Sequence, residues 1–407
     1  MTKTAETLIA LLRGAITETH DPIDLAGLDR DVLFSLAKLH DVAPIACEEL
    51  MRQHALSEDE ASRMFKKQHK LAMFRHLQRT VAIGQIRGAL EAAEVPFVLL
   101  KGAYLMELYP QAWMRTCTDV DVLVAKERYD AAAEALRAAG FQKYATTPHD
   151  ASFHSPEQYP VELHFQLVED DRLPGVSRVL SRVWDYTDPA NPTDPTDPPR
   201  PASCERTLRD EVFYLYHLAH MAKHFQSGGG CGIRSFLDLW LLNHTVPFDK
   251  AKRDALIRES GIAAFARAPE SLTEKWFSAP PSSETPNASE SSETSETPDL
   301  SELEDYVLHG GLYGTLKRAA MVRKSKTGNP VRYYARRLFL PYRTMRDAYP
   351  TLRKHPTLLP VYWVVRWGKL LGPTGRKRAT REIRVTHTMD PAERTRIETL
   401  MKQLELW

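Results

Sequence analysis

Cysteine is scarce in this chain. Four stand among 407 residues, at 47, 117, 204 and 231, and none forms a CxxC pair. That is too sparse for a disulfide scaffold or a zinc ribbon, and it suggests a reducing compartment. Long apolar runs are missing too. No stretch approaches about 18 apolar residues, so no transmembrane segment is expected. The first twenty residues lack a basic stretch followed by a long apolar run. Their apolar positions recur at helical spacing, which predicts an amphipathic helix rather than a signal peptide, with the cytoplasm as default location. Net charge is almost absent at +1, so the whole-chain balance names no partner. No internal repeat is visible. What is present is an ordinary globular composition, 43% hydrophobic and 26% charged, in a length that suits two or three domains.

Residues 1–95 carry apolar positions at three- and four-residue intervals and read as an N-terminal helical region. The pattern changes at "VPFVLLKG", a short apolar run ending at a glycine, which suits a buried strand. "AYLMELYP" reads as a helix stopped by Pro110, and "TDVDVLV" as a second strand. "KERYDAAAEALRAAGF" reads as a helix with Gly140 at its C-terminal cap. "YPVELHFQL" alternates and reads as a third strand. The expected fold class is α+β: a small mixed sheet with helices on one face at 96–185, flanked by helical regions. Residues 186–201 are proline-punctuated and read as a linker. Residues 202–277 read as a helical domain. Residues 278–302 contain no aromatic and no basic residue and read as a disordered linker. Residues 303–407 read as a basic helical region. From Leu316 to Arg384 there are 19 Lys or Arg against Asp347 and Glu382, a local charge of +17 that leaves about −16 for the rest. Segregation of that strength points to an anionic partner for residues 316–384, or to the acidic surplus elsewhere in the chain.

The chemistry concentrates in the second strand. Asp119 and Asp121 alternate with Val120, Val122 and Val124, so one face is valine and the other begins with two carboxylates. Such a pair about 4 Å apart repels by roughly 4 kcal/mol at an effective dielectric of 20. A cation between them relieves this, and magnesium takes carboxylate and phosphate oxygens. Glu162, on the third strand, completes a two-metal clamp in this reading. Upstream, Lys101 and Gly102 form a strand–glycine–helix turn, whose free N–H groups and close backbone approach suit phosphate. Carboxylates for Mg²⁺ or Mn²⁺ and a turn for phosphates together describe nucleotidyl transfer, with a nucleoside triphosphate as substrate.

These motifs resemble the polymerase-beta-like nucleotidyltransferase superfamily. More closely, they resemble an uncharacterised nucleotidyltransferase family with "LLKGA", an arginine, a D-[LV]-D-[LIV]-L-V strand, an E-L-H-[WF] strand and a helix with spaced histidines. Here these are residues 99–103, Arg115, 119–124, 162–165 and "HLAHMAKHF" at 217–225, with a similar tail at 335–372. The resemblance covers roughly 30–245 and 335–372. It implies a nucleotidyltransferase sheet followed by a helical domain. Where the wider superfamily usually has Gly-Ser or Gly-Gly at the turn, this chain has Lys101-Gly102, so phosphate contact falls to Lys101.

Catalytic and metal-ligand candidates are therefore Asp119, Asp121 and Glu162. Nucleotide-binding candidates are Lys101, Gly102, Arg115 and Thr118. Arg115 pairs either with the triphosphate or with the aspartates. His164 shares a strand face with Glu162, which makes it a cleft candidate. His220 and His224, with His217, lie on one helical face. That spacing reads as a cleft-lining stripe in preference to a zinc site. Cys117 reads as packing. The acceptor is open: a small molecule, a protein or RNA, the latter two making the chain a toxin-like transferase. A rival reading is a non-catalytic binder of nucleic acid or a membrane surface through the basic C-terminal region.

Overall fold

The computed structural model describes residues 1–147, 150–168, 173–190, 203–227, 229–278, 300–312, 338–349, 351–371 and 390–407, with isolated positions between 314 and 335. Most of the proline-punctuated linker, most of the low-complexity linker and part of the basic region, including 372–389, lie outside the described residues.

Four helices come first: α1 (Lys3–Thr17), α2 (Arg30–Leu39), α3 (Ala43–Arg52) and the long α4 (Glu60–Ala92). Aspartates start two of them. Asp29 accepts from the N–H groups of Asp31 and Val32 at the head of α2, and Asp59 accepts from Ser62 N–H at the head of α4. Then follow β1 (Phe97–Leu99), the single turn α5 (Gly102–Leu105), β2 (Val120–Val124), α6 (Tyr129–Ala138), β3 (Gln142–Thr146), β4 (Asp150–His154) and β5 (Pro160–His164). Next are α7 (Pro174–Leu180), β6 (Thr187–Pro189), β7 (Glu205–Leu208), α8 (Asp210–Ser227), α9 (Ile233–Thr245), α10 (Lys250–Glu259) and α11 (Ala263–Phe277). The C-terminal part supplies α12 (Ser301–Leu308), α13 (Tyr342–Ala348), α14 (Thr351–Lys354), α15 (Leu359–Leu371) and α16 (Pro391–Gln403).

The fold is α+β. Seven strands form one mixed sheet in the order β3-β4-β5-β2-β1-β7-β6. β2 runs antiparallel to β1 and parallel to β5, and β4 runs antiparallel to β5. Two strands extend the sheet beyond its expected limits: β6 falls in the segment read as linker, and β7 at the head of the segment read as helical. The segment read as one helix up to Pro110 is the single turn α5 followed by a 3-10 turn at Met106–Leu108.

Two apolar cores explain where the polar site can be. Val120, Val122, Val124, Val161 and Leu163 are all buried against Ile83, Ile86 and Leu90 of α4 and Ala132, Ala133 and Leu136 of α6. The strand period of two then turns Asp121, Glu162 and His164 to the opposite face. At the β1 side of that opposite face, Val98, Leu100 and Leu123 join the larger helical core, which holds α1–α3, α8, α9, α11, α12 and α16 together. α4 reaches both cores, with Phe65 in one and Ile86 in the other. The N-terminal helices and the helices after the sheet therefore share one interior.

Candidate active site

The parallel register of β2 and β5 pairs Asp121 with Glu162, and Leu123 with His164. The antiparallel register of β4 sets Asp150 opposite His164. Four polar side chains thus meet on three adjacent strands. His164 Nε2 lies 2.8 Å from Asp121 Oδ1 and 3.4 Å from Glu162 Oε2, and its Nδ1 is 3.9 Å from Asp150 Oδ2. Lys101 Nζ stands 3.3 Å from the same Asp121 Oδ1 and 5.9 Å from the ring centre of Tyr216 on α8.

The charges hold one another in place. Asp121 is 3% exposed. Burial alone raises an aspartate, but Lys101 and the hydrogen bond from His164 hold its carboxyl well below the usual range. Burial likewise opposes the charge on His164, yet its bonds to Asp121 and Glu162 raise it to about 9, so it is protonated at neutral pH. Against its own burial, Lys101 is lifted above the ordinary lysine value by Asp121. Asp119, one residue before β2, is pushed up by burial and then by the charge of Asp121. A lysine and an imidazolium thus balance a carboxylate cluster.

Lys101 sits at φ 38°, ψ −102°, in the left-handed half of backbone space that a non-glycine residue enters at a cost of about 1–3 kcal/mol. That bend brings its ammonium over β2. Gly102 is required for another reason: a Cβ there would lie 2.6 Å from Cys117 Sγ. The Cys117 thiol in turn donates to Asp119, 3.0 Å to the carbonyl and 3.4 Å to Oδ1. α5 has only four residues, so its dipole adds little to phosphate binding.

The expected residues divide accordingly. Among the described residues, Asp121, Glu162 and His164 form the group whose ligand atoms all lie within 4.8 Å of one another. Asp119 feels the charges of Asp121, Lys101 and Glu162 and is turned toward Cys117. Thr118 is exposed beside it. Arg115 pairs with neither the aspartates nor the open face. It is 7% exposed and binds Asp238 of α9 through two contacts, Nε–Oδ1 3.2 Å and Nη2–Oδ2 2.9 Å, with Tyr109 donating to Oδ1 at 2.7 Å. That makes it a tie between the loop and α9. His217 bonds the Ser235 carbonyl at 3.0 Å, and His220 and His224 meet Nε2 to Nε2 at 3.2 Å. Burial, then Lys101, lowers both, His224 to about 4 and His220 well below the ordinary histidine value. They form a neutral stripe within electrostatic reach of Lys101, and no acid or thiol joins them in a ligand group among the described residues. Tyr216, Asp150 and Asp238 were not anticipated. Tyr216 had a signal, since it lies four residues before His220 on the same helical face.

Two carboxylates on adjacent strands suit magnesium or manganese, and His164, donating to Asp121, orients the oxygen that such an ion would take. The chain belongs to the uncharacterised nucleotidyltransferase family, whose model matches residues 26–278. No curated protein and no solved structure matches it. The matched span contains the whole sheet and helices α2–α11, and stops before the C-terminal helices. A general nucleotidyl-transfer role follows from that membership.

Proposed function

We propose that the chain transfers a nucleoside monophosphate from a nucleoside triphosphate to a hydroxyl of an acceptor, in a reaction dependent on Mg²⁺ or Mn²⁺. The observation that carries this reading is the β2–β5 register, which sets Asp121 beside Glu162 with Asp119 and Lys101 at the same edge. Asp119, Asp121 and Glu162 would hold the cations. The chemistry that bound cations supply is neutralisation of charge on the transferring group, worth several kcal/mol. Lys101 exchanges its contact with Asp121 for the triphosphate. Glu162, the more exposed carboxylate, accepts the acceptor's hydroxyl proton. The acceptor oxygen bonds the α-phosphorus, the bond to the bridging oxygen breaks, and pyrophosphate leaves. The test is incubation with labelled ATP, CTP, GTP and UTP plus cell extract. Release of pyrophosphate with a labelled protein, RNA or small molecule is expected. No metal-dependent release with any of the four would overturn the reading.

A second reading concerns residues 338–371. Leu338, Phe339, Leu358, Val361, Val364 and Val365 are exposed together, flanked by Arg353, Lys354, Arg366 and Lys369. The indoles of Trp363 and Trp367 are half-buried edge-on against Phe339 and donate to the carbonyls of Leu340 and Leu338 at 3.0 and 2.9 Å. Stacking on RNA bases wants exposed aromatic faces. An aliphatic stripe with a basic rim suits an anionic membrane surface. Anionic vesicles should capture the full chain at low salt, and Val361→Asp with Val364→Asp should release it. Capture by RNA but not by vesicles would overturn this assignment.

A further inference from the structure

Away from the carboxylate face, α4 and the loop at 111–118 line a narrow, solvent-open cleft whose enclosed part is about 20 Å³, room for about one water-sized group. Its wall includes Gln68, Arg75, His76, Arg79, Trp113 and Cys117. Arg79 is 2% exposed. It donates from Nη1 to the Arg115 carbonyl at 3.0 Å, and from Nη2 to the Ala112 carbonyl at 3.2 Å and to His76 Nδ1 at 3.1 Å. Its Nε–H is buried with no acceptor. Among the described residues no carboxylate lies within ion-pair distance of it, and the acids that it feels are the thiol of Cys117 and the phenol of Tyr159. The carboxylate on the cleft wall, Asp41, is engaged by Arg234 and by the Thr116 hydroxyl.

A buried guanidinium without a counter-charge is unusual. The desolvation of a buried ion is several kcal/mol, and normally a carboxylate offsets it. Elsewhere in this molecule that rule is kept: Arg115 has Asp238 and Arg234 has Asp41. Arg79 alone of these three keeps its charge without an acid, beside open space and with a second arginine, Arg75, exposed on the rim. Burial holds Arg79 below its usual value, as it does any cation taken out of water.

We propose that this cleft is a binding site for a small molecule bearing an oxyanion, a phosphate or a carboxylate group, which Arg79 and Arg75 receive. The occupant is distinct from anything bound at Asp121. It would touch the loop whose carbonyls Arg79 holds, four to seven residues before Asp119, so the ligand is suited to be an effector of that loop. The proposal does not depend on the transfer reaction, because it is read by binding alone.

The test is calorimetric titration of the full chain, in metal-free buffer, with inorganic phosphate and separately with acetate. Saturable binding of at least one is expected, and the tighter of the two identifies a phosphoryl or a carboxyl ligand. Arg75→Ala, an exposed change that leaves the loop's hydrogen bonds in place, should weaken it about tenfold, the scale of one charge-assisted contact. Arg79→Lys should weaken it at least as much. Asp121→Asn should leave it unchanged. If neither anion binds saturably at millimolar concentration, if binding survives both arginine changes, or if Asp121→Asn removes it, the proposal fails.

Discussion

Two buried charge clusters, one on Arg115 before β2 and one on Asp121 within it, are built on opposite principles. At Arg115 one guanidinium meets one carboxylate, Asp238, in a two-contact pair, and Tyr109 fills the remaining lone pair. At Asp121 one carboxylate is shared between a lysine and a histidine, with Glu162, Asp150 and Asp119 within reach. The first cluster is closed and every member has a fixed partner. The second hangs on two protonated side chains that share one carboxylate oxygen, so neither contact is exclusive. A closed pair fastens elements together, whereas an interchangeable one is available for chemistry. Six residues apart, the chain thus carries an arginine fixed on one carboxylate and a carboxylate shared by two cations.

Breaking the open cluster should show first in rate. Asp121→Asn is expected to lower metal-dependent nucleotide turnover by about 10³-fold or more, some 4 kcal/mol of transition-state stabilisation, with the chain still folded by circular dichroism. Wild-type turnover in that variant would remove Asp121 from the site. Breaking the closed cluster should show in stability instead. Asp238→Asn strands a buried guanidinium and is expected to cost about 3–5 kcal/mol in denaturant unfolding. A loss below about 1 kcal/mol would mean that the pair fastens nothing.

A third comparison uses pH. His164 is raised from 6.5 to about 9 in the folded state, so the folded chain binds more protons than the unfolded one between those values. Its contribution is fully present below about pH 6.5 and is lost as pH rises through 9, a change of about 3 kcal/mol. In metal-free buffer, wild-type stability should fall across this window more steeply than that of His164→Gln. Parallel profiles would place the proton elsewhere. The smallest effect concerns Lys101. Lys101→Gly and Lys101→Ala both remove the ammonium, but only glycine relieves φ 38°. The glycine variant should be more stable than the alanine variant by about 1 kcal/mol, and equal stabilities would mean that the turn relaxes on substitution.

Much of this was legible in the residues. The valine–aspartate alternation of β2 and the alternation of β5 announce which faces are buried, and Gly140, at φ 89°, follows α6 where a helix stop was expected. β3 was not legible, because all five of its residues are exposed and carry no alternation. β6 and β7, at three and four residues, are too short to show a period and lie beside a proline-rich stretch. Within the site, Asp119 and Asp121 looked equivalent because spacing gives only the face. The β2–β5 register and the Cys117 thiol distinguish them, and both depend on tertiary contact. Arg115 and Asp238 are 123 positions apart, and nothing local in either segment names the other.

The basic region looks like a tail in the sequence, yet the chain returns after it. Ile397, Leu400, Met401 and Leu404, with Leu406 just beyond α16, enter the helical core, and Gln226 of α8 donates to the Leu406 carbonyl at 3.0 Å. α12 and α16 are thus both seated in that core, on either side of the basic region. A stop codon placed ahead of it would take those five apolar side chains out of the interior along with the lysines and arginines, and would confuse unfolding with loss of a partner. The informative deletion is an internal excision that rejoins the chain ahead of Asp390 and keeps the last helix in its seat.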